Sequence, residues 1–202
     1  MPTLNTLSDL YLLTLRELYS AEGQLADALP RMAASAANVD LRRVFERLHA
    51  ESREHQRRLE HICRGMELGP RGARSRGMHG LVEEARELAR KDGDPDVCDA
   101  ALIAAAQRIA HYQIACYGCA RSYARMLARE LDVRLLDQSR IEEREADRAL
   151  ARIAERVTTR GVMRESTVRR RVERDSDGLA DTGGAPVSSP RVQQPRDPEA
   201  RA

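Results

Sequence analysis

Polar side chains that could bind a cation interrupt four apolar stripes of this sequence near their midpoints. The interrupting residues are Glu22 on the first stripe, Glu51 and His55 on the second, Gln113 on the third, and Glu143 and Asp147 on the fourth. Residues four positions apart lie on the same face of a helix, so the second and fourth stripes each present a pair of polar groups. If the four stripes face a common interior, carboxylates and an imidazole meet inside it.

A carboxylate that is buried alone in a protein interior costs several kcal/mol or takes up a proton. Several such groups in one core therefore require a cation or shared protons. Iron and manganese ions accept carboxylate oxygen and imidazole nitrogen, and helical bundles build metal sites from ligands on facing helices. The pattern predicts one or two Fe or Mn ions as cofactor, with these candidate ligands: Glu22, Glu51, His55, Gln113, Glu143 and Asp147.

Two alternatives remain open on the residues alone. The acids could form a hydrogen-bonded cluster that holds protons instead of metal, and acidic pairs four residues apart are common on solvated helix faces. His55 could be a core histidine that supports the ligands, and Gln113 could be a hydrogen-bonding spacer.

Apolar residues that recur at steps of three, four and seven predict four long helices that would position these groups. The first covers about residues 5–35, the second begins after Asn38 and ends by Gly65, the third begins at Asp94-Pro95, and the fourth runs from a break near Asp132 to about Thr158. A basic, glycine-rich segment at 69–77 and a short helix at about 78–91 form the crossover between the second and third. The predicted fold is an all-α four-helix bundle with a long crossover that carries a short extra helix.

The charge distribution excludes several classes of partner. The chain has 34 Lys and Arg against 32 Asp and Glu, and the part before residue 160 has 25 of each sign. A neutral body lacks the clustered positive charge that binds nucleic acid or an anionic membrane. The sequence also shows no apolar run long enough to span a bilayer and no secretory leader, so we expect a cytoplasmic protein.

The composition changes after residue 159. The segment 160–202 is rich in Arg, Asp, Gly, Pro and Ser, with prolines at Pro186, Pro190, Pro195 and Pro198. We predict two regions, a bundle at 1–159 and a disordered tail at 160–202. The run Arg169–Arg171 could contact phosphate, but neighbouring acids dilute it, and a solvated segment is the simpler interpretation.

Six segments resemble the YciE/YciF group of bacterial ferritin-like proteins that are associated with stress responses. They are Glu17–Glu22, Glu51–His55, Gly77–Leu81, Asp99–Arg108, His111–Ala115 with Tyr117–Gly118, and Glu142–Asp147. The resemblance covers about residues 4–157. It implies a ferritin-like bundle that dimerises and a di-iron or di-manganese centre with ferroxidase-type oxidoreductase activity.

The resemblance also implies roles for individual residues. Glu22, Glu51, Glu143 and Asp147 match the family's metal ligands, and His55 matches a position where the family has Gln or His. The third long helix departs from the family pattern, Glu-His-Tyr-Glu-Ile-Ala, because Ala110 and Gln113 replace its two glutamates. A neutral amide cannot replace the charge of a bridging carboxylate, so we expect a second metal site to be weakened or absent. The alternative is a metal-free helical dimer that acts as an interaction or scaffold protein.

Overall fold

The structure, a computed structural model, describes residues 4–180 of the chain and the side chains of residues 4–167. It contains five helices: α1 (Leu7–Ser35), α2 (Val39–Arg64), α3 (Arg76–Leu88), α4 (Pro95–Met126) and α5 (Glu130–Ala180). Four of them are long, and the short α3 lies in the crossover between α2 and α4. The described residues contain no strand. The predicted all-α bundle with a crossover helix is confirmed.

Side-chain caps start four of the helices where the sequence places short polar residues. The capping residues are Thr6 for α1, Asn38 for α2, Ser75 for α3 and Asp94 for α4. Each side-chain oxygen accepts hydrogen bonds from backbone N–H groups that the first helical turn leaves unpaired, an interaction worth about 1 kcal/mol. Pro95 follows its cap at the first position of α4, where a missing N–H is harmless. The caps thus fix where α1, α2 and α4 begin, and these helices carry Glu22, His55 and Gln113.

Contacts at two levels of the bundle show that α1 and α4 run antiparallel. At one end, the Asp99 carboxylate accepts hydrogen bonds from the backbone N–H groups of Ala37 and Asn38 at 2.9 and 2.8 Å. Further along, the hydroxyl of Tyr117 on α4 donates to Glu22 on α1. The same side of each helix therefore faces the other over most of its length.

The helices α2 and α5 are antiparallel as well. The Arg156 guanidinium on α5 contacts the Asp40 carboxylate near the start of α2 at 3.1 Å. Near the end of α2, Arg58 donates to the Ser139 hydroxyl, also at 3.1 Å. All four long helices consequently contribute one face to the same interior.

The apolar interior consists of two separate clusters, and a polar layer divides them. One cluster packs around Leu29, Phe45 and Leu150, and the other around Leu15 and Leu59. The buried residues between the clusters, here called the polar layer, are Glu22, Ser52, His55, Gln113, Ser139 and Glu143. Burial of each large apolar side chain contributes about 1.5–3 kcal/mol, which offsets the cost of the polar groups between the clusters.

The end of the last helix differs from the prediction. The helix was expected to end near Thr158, and the tail from residue 160 to be disordered, but α5 continues to Ala180. The segment between these points contains no proline and many Arg and Glu residues, which have high helix propensity. Residues 181–202, with all four prolines of the predicted tail, lie outside the described residues.

None of the helices in the described part of the chain is both long and apolar enough to cross a membrane.

The crossover segment packs tightly against α4 at Gly77. A Cβ atom at Gly77 would lie 2.8 Å from a ring carbon of Tyr112, whereas a Cβ at Gly80, one turn later on α3, would meet nothing within 4 Å. The Tyr112 hydroxyl is also held by the Ser75 side chain at 2.9 Å, so the ring cannot move away freely. Only glycine allows this close approach.

We expect Gly77→Ala to lower the free energy of unfolding by about 1–3 kcal/mol, because the added methyl group displaces the Tyr112 ring. Gly80→Ala is the matched control and should be neutral or stabilising by up to about 1 kcal/mol, since alanine favours a helix. Urea unfolding of both variants measures the difference. Equal stabilities of the two variants would contradict the close packing of α3.

Candidate metal centre

Glu22 lies at the middle of α1 with its carboxylate inside the bundle, where 0% of the residue is exposed. Its Oε1 atom accepts a hydrogen bond of 2.6 Å from the Tyr117 hydroxyl and lies 3.0 Å from His55 Nδ1. Its Oε2 atom has no hydrogen-bond partner among the described residues. A fully buried carboxylate oxygen without a donor is a position where a cation or a further donor would be favourable.

His55, at 1% exposure on α2, contacts a carboxylate with each of its ring nitrogens. Nδ1 faces Glu22, and Nε2 lies 2.8 Å from Glu142 Oε2. Burial alone would lower the pKa of His55, but the Glu22 charge and both hydrogen bonds raise it to about 10. Without a metal ion the ring therefore carries a positive charge at neutral pH. The edge of the ring packs on Tyr117, with ring centroids 5.7 Å apart.

Glu143 comes from α5 and completes a cluster of three buried groups, here called the triad: Glu22, His55 and Glu143. Glu143 Oε1 is 3.6 Å from His55 Nδ1, and the residue is 3% exposed. Burial, followed by the charge of Glu22, raises the pKa of Glu143 well above its usual range. The metal-free site therefore favours a proton on this carboxyl group.

The geometry of the triad fits a single metal ion. One ligand atom from each residue lies within 4.8 Å of the others. Two donors bound to one ion at about 2.1 Å are themselves roughly 3.0–3.4 Å apart in octahedral or tetrahedral coordination, close to the observed 3.0 and 3.6 Å. The donor set of two carboxylates and one imidazole suits Fe and Mn ions.

Glu142 connects the triad to the outside of the bundle. Its carboxylate contacts His55 and accepts a hydrogen bond of 3.0 Å from Arg58 Nη2. Partial burial would raise the pKa of Glu142, but the hydrogen bonds from His55 and Arg58 outweigh it and lower that pKa to about 2. On the solvent side, Glu142 also lines an open surface pocket of about 400 Å³. The Glu142 carboxylate thus connects the solvent-exposed surface to the buried His55 through charged groups.

Gln113 lies on α4 in the polar layer and is completely buried. Neither its amide oxygen nor its amide nitrogen has a hydrogen-bond partner among the described residues. Leaving a buried donor or acceptor unpaired costs about 1–3 kcal/mol. The prediction that Gln113 faces the interior agrees with its burial.

Two predicted ligands do not join the triad. Glu51, 27% exposed at its side chain, pairs with Arg47 at 3.4 Å on the same helix. Asp147, 23% exposed at its side chain, accepts a hydrogen bond from Gln107 at 3.0 Å and lies 3.5 Å from His111. Both carboxylates lie at the partly exposed rim of the polar layer and pair with side chains outside the triad.

Two residues of the site were not singled out from the sequence. Tyr117, 0% exposed, is not among the predicted ligands, although its position four residues after Gln113 places it on the same face of α4. Glu142 lies off the apolar stripe of its helix, at a position that usually faces solvent. It still reaches His55, because a long side chain at the edge of a buried face can turn inward to a charged partner.

The Glu142 contacts predict an acid-dependent loss of stability. We expect Glu142→Gln to lower the free energy of unfolding of the metal-free protein near pH 6, because His55 and Arg58 each lose a charged acceptor. A lowered pKa contributes stability that is present above the usual glutamate value and is lost as the pH falls through about 2. The difference between wild type and variant should therefore shrink toward pH 2.

Urea unfolding between about pH 2 and pH 6 measures this difference. Glu145→Gln, which lines the same surface pocket, is the control and should follow the wild-type curve. A gap between wild type and Glu142→Gln that stays constant with pH would contradict the proposed ion pairing.

Comparisons with known proteins agree with the fold. The family model described as "Domain of unknown function (DUF892)" matches residues 6–163. Protein YciF of Escherichia coli strain K12 is 35% identical over 155 residues, which cover 75% of this chain and 92% of YciF.

Two solved structures are similar in three dimensions. The crystal structure of the E. coli stress protein YciF superposes with a TM-score of 0.74 at 32% identity, covering 77% of this chain and 98% of that one. The Rhodopseudomonas palustris protein YcfI superposes with a TM-score of 0.71 at 35% identity, covering 73% and 94%. The predicted resemblance is confirmed, and the chain belongs to the DUF892 family, to which its YciF-like sequence and fold assign it.

Proposed function

We propose that this chain is a ferritin-like, stress-associated protein that binds one divalent iron or manganese ion in the triad. The observation that carries the proposal is the convergence of Glu22, His55 and Glu143 from three helices, with one ligand atom of each within 4.8 Å. The similarity to the E. coli stress protein YciF supports the stress association. A bound iron or manganese ion would supply one-electron redox chemistry.

The charges of the triad match one divalent ion. Glu22 and Glu143 together provide two negative charges when both are ionised, and His55 can provide a neutral nitrogen once it has released a proton. The ion would take over the positive charge that the His55 proton supplies in the metal-free protein. Glu142 would then accept the remaining Nε2–H of His55 and hold the ring in place, a role that outer carboxylates commonly serve at metal sites.

A second ion would lack ligands. The carboxylates of Glu51 and Asp147 pair with other side chains at the rim, and Glu142 is occupied by Arg58. On α4 the polar layer contains the neutral Gln113 in place of a carboxylate. Ferroxidase-type turnover at a metal pair is therefore less well supported than the binding of a single ion.

The metal-free scaffold is the second candidate, and one observation favours it. Both His55 nitrogens lie within hydrogen-bond distance of carboxylates, so a protonated ring can neutralise the site without a metal. In this state Glu143 retains its proton and the layer holds the helices in register. The two candidate functions share the same fold and differ in whether the site binds a metal ion.

We expect the wild-type protein to bind one Fe(II), Mn(II) or Co(II) ion per chain. Glu143→Gln should weaken this affinity by about 100-fold, because the amide removes one charge from the ion's neighbourhood. Glu51→Gln is the matched control, since this glutamate lies one turn from His55 but outside the triad, and it should bind as the wild type does. Elemental analysis and anaerobic titration with Co(II) measure stoichiometry and affinity.

Three outcomes of this titration lead to different conclusions. Two ions per chain, with both variants impaired, would restore the dinuclear centre that the resemblance implies. No ion in the wild type would favour the scaffold. A single ion per chain that is lost equally in Glu51→Gln and Glu143→Gln would show that the triad alone is not the site.

We also propose that the protein is a cytoplasmic homodimer, as the resemblance implies. Sedimentation equilibrium should give a mass near twice the chain's 22.7 kDa. A mass of 22.7 kDa at micromolar concentration would contradict the dimer.

A further inference from the structure

Gln113 presents an uncompensated amide in the interior of the bundle. Its residue exposure is 0%, and both amide atoms lack partners among the described residues. The amide combines an acceptor oxygen with a nitrogen that carries two donor hydrogens. An apolar residue of similar size would fill the same space without leaving two N–H donors and an acceptor oxygen unpaired.

The contacts between α4 and α5 place Gln113 at the level of the triad. Gln107, six residues earlier on α4, bonds to Asp147 on α5. Arg121 on α4 pairs with Asp137 on α5 at 3.6 Å, so the two helices run antiparallel. Six residues forward on α4 therefore correspond to about six residues back on α5, near residue 141 to 143. Glu143, the α5 member of the triad, lies at this level.

The contacts between α4 and α1 give the same level. Tyr117, one turn after Gln113 on the same face of α4, bonds to Glu22 Oε1. The Glu22 Oε2 atom is also buried and unpaired. Two unsatisfied polar groups from different helices therefore occur within about one helical turn of each other, in the same polar layer.

A metal ion alone cannot provide partners for both the unpaired Glu22 oxygen and the Gln113 amide. An ion can bind the unpaired Glu22 oxygen, but the N–H groups of Gln113 repel a cation and require an acceptor with a lone pair. The missing partner is therefore a small molecule that donates a lone pair to the ion and accepts a hydrogen bond from Gln113. Water and small anions have this chemistry, and the neutral amide accepts an anion at a position where the family's glutamate would repel it.

We propose that Gln113 and the ion in the triad together bind a small lone-pair donor, either water or a small anion, and that Gln113 Nε2–H is its hydrogen-bond donor. This inference rests on the proposed function, because the ion is one half of the binding position. Gln113 is then the residue that determines whether the site accepts anions.

The test uses Co(II)-loaded full-length protein and sodium azide as the probe, with visible absorption of Co(II) as the readout. In the wild type, azide should change the Co(II) spectrum in a saturable manner. Gln113→Leu should bind Co(II) with wild-type affinity but azide at least tenfold more weakly, because the hydrogen-bond donor is gone. Gln113→Glu should show no azide response, because its carboxylate carries the same charge as the probe.

Water and anion are distinguished by the same spectra. A Co(II) spectrum that differs between wild type and Gln113→Leu before azide is added, with weak azide binding to both, assigns the position to water. Identical spectra before azide is added, followed by azide binding at least tenfold tighter in the wild type than in Gln113→Leu, assign the position to anions. Either result supports the role of Gln113.

Several results would overturn the inference. Equal azide affinity in wild type and Gln113→Leu, with no spectral difference beforehand, would overturn it while leaving the triad as a metal site. Loss of Co(II) binding in Gln113→Leu would make Gln113 a direct ligand through its oxygen instead. Failure of the wild type to bind Co(II) would overturn both proposals.

The melting temperature of metal-free Gln113→Leu provides an independent measurement. It should rise above the wild-type value, because an unpaired buried amide is replaced by an apolar side chain of similar size. A fall in melting temperature would show that the amide has partners in the folded protein and would count against the inference.

Discussion

The burial of the Glu22 carboxylate at mid-height of the bundle is the constraint on which the rest of the interior depends. A carboxylate with 0% exposure needs nearby positive charge or hydrogen-bond donors, and Tyr117 and His55 supply them on one oxygen. These partners must come from other helices, so the polar layer fixes the axial position of α1, α2 and α4 relative to one another. The apolar clusters on either side bury enough surface to offset the free-energy cost of burying this polar layer.

The electrostatics of the layer change from its centre to its surface. At the centre, Glu143 favours a proton, and Tyr117 is held neutral because burial raises its pKa. Toward the surface, Glu142 is firmly ionised between His55 and Arg58. His55 lies between the two regions and can exchange a proton for a metal ion without a change in the sign of its local charge. The same arrangement therefore serves a metal-bound and a metal-free bundle.

Much of the fold was accessible from sequence, because helix periodicity and capping residues are local signals. Asp94-Pro95, for example, marks the start of α4 correctly. The site was only partly accessible: Glu22, His55 and Glu143 meet, but Glu51 shares their spacing and still points to Arg47 at the rim. The spacing of residues predicts which face of a helix a side chain lies on. It does not predict which side chains at the edge of that face turn inward, and the ligand set depends on this. Pairing with charged residues that are distant in sequence decides which side chains turn inward, as Glu142 illustrates.

The Asp99 carboxylate has a consequence for how the chain assembles. It binds the two backbone N–H groups at the corner between α1 and α2, across 61 and 62 positions of sequence. Until α4 docks, the corner between α1 and α2 lacks this acceptor. Its two backbone N–H groups must then bond to water. The corner between α1 and α2 is therefore completed by a side chain of α4, so the packing of one half of the bundle is coupled to the packing of the other.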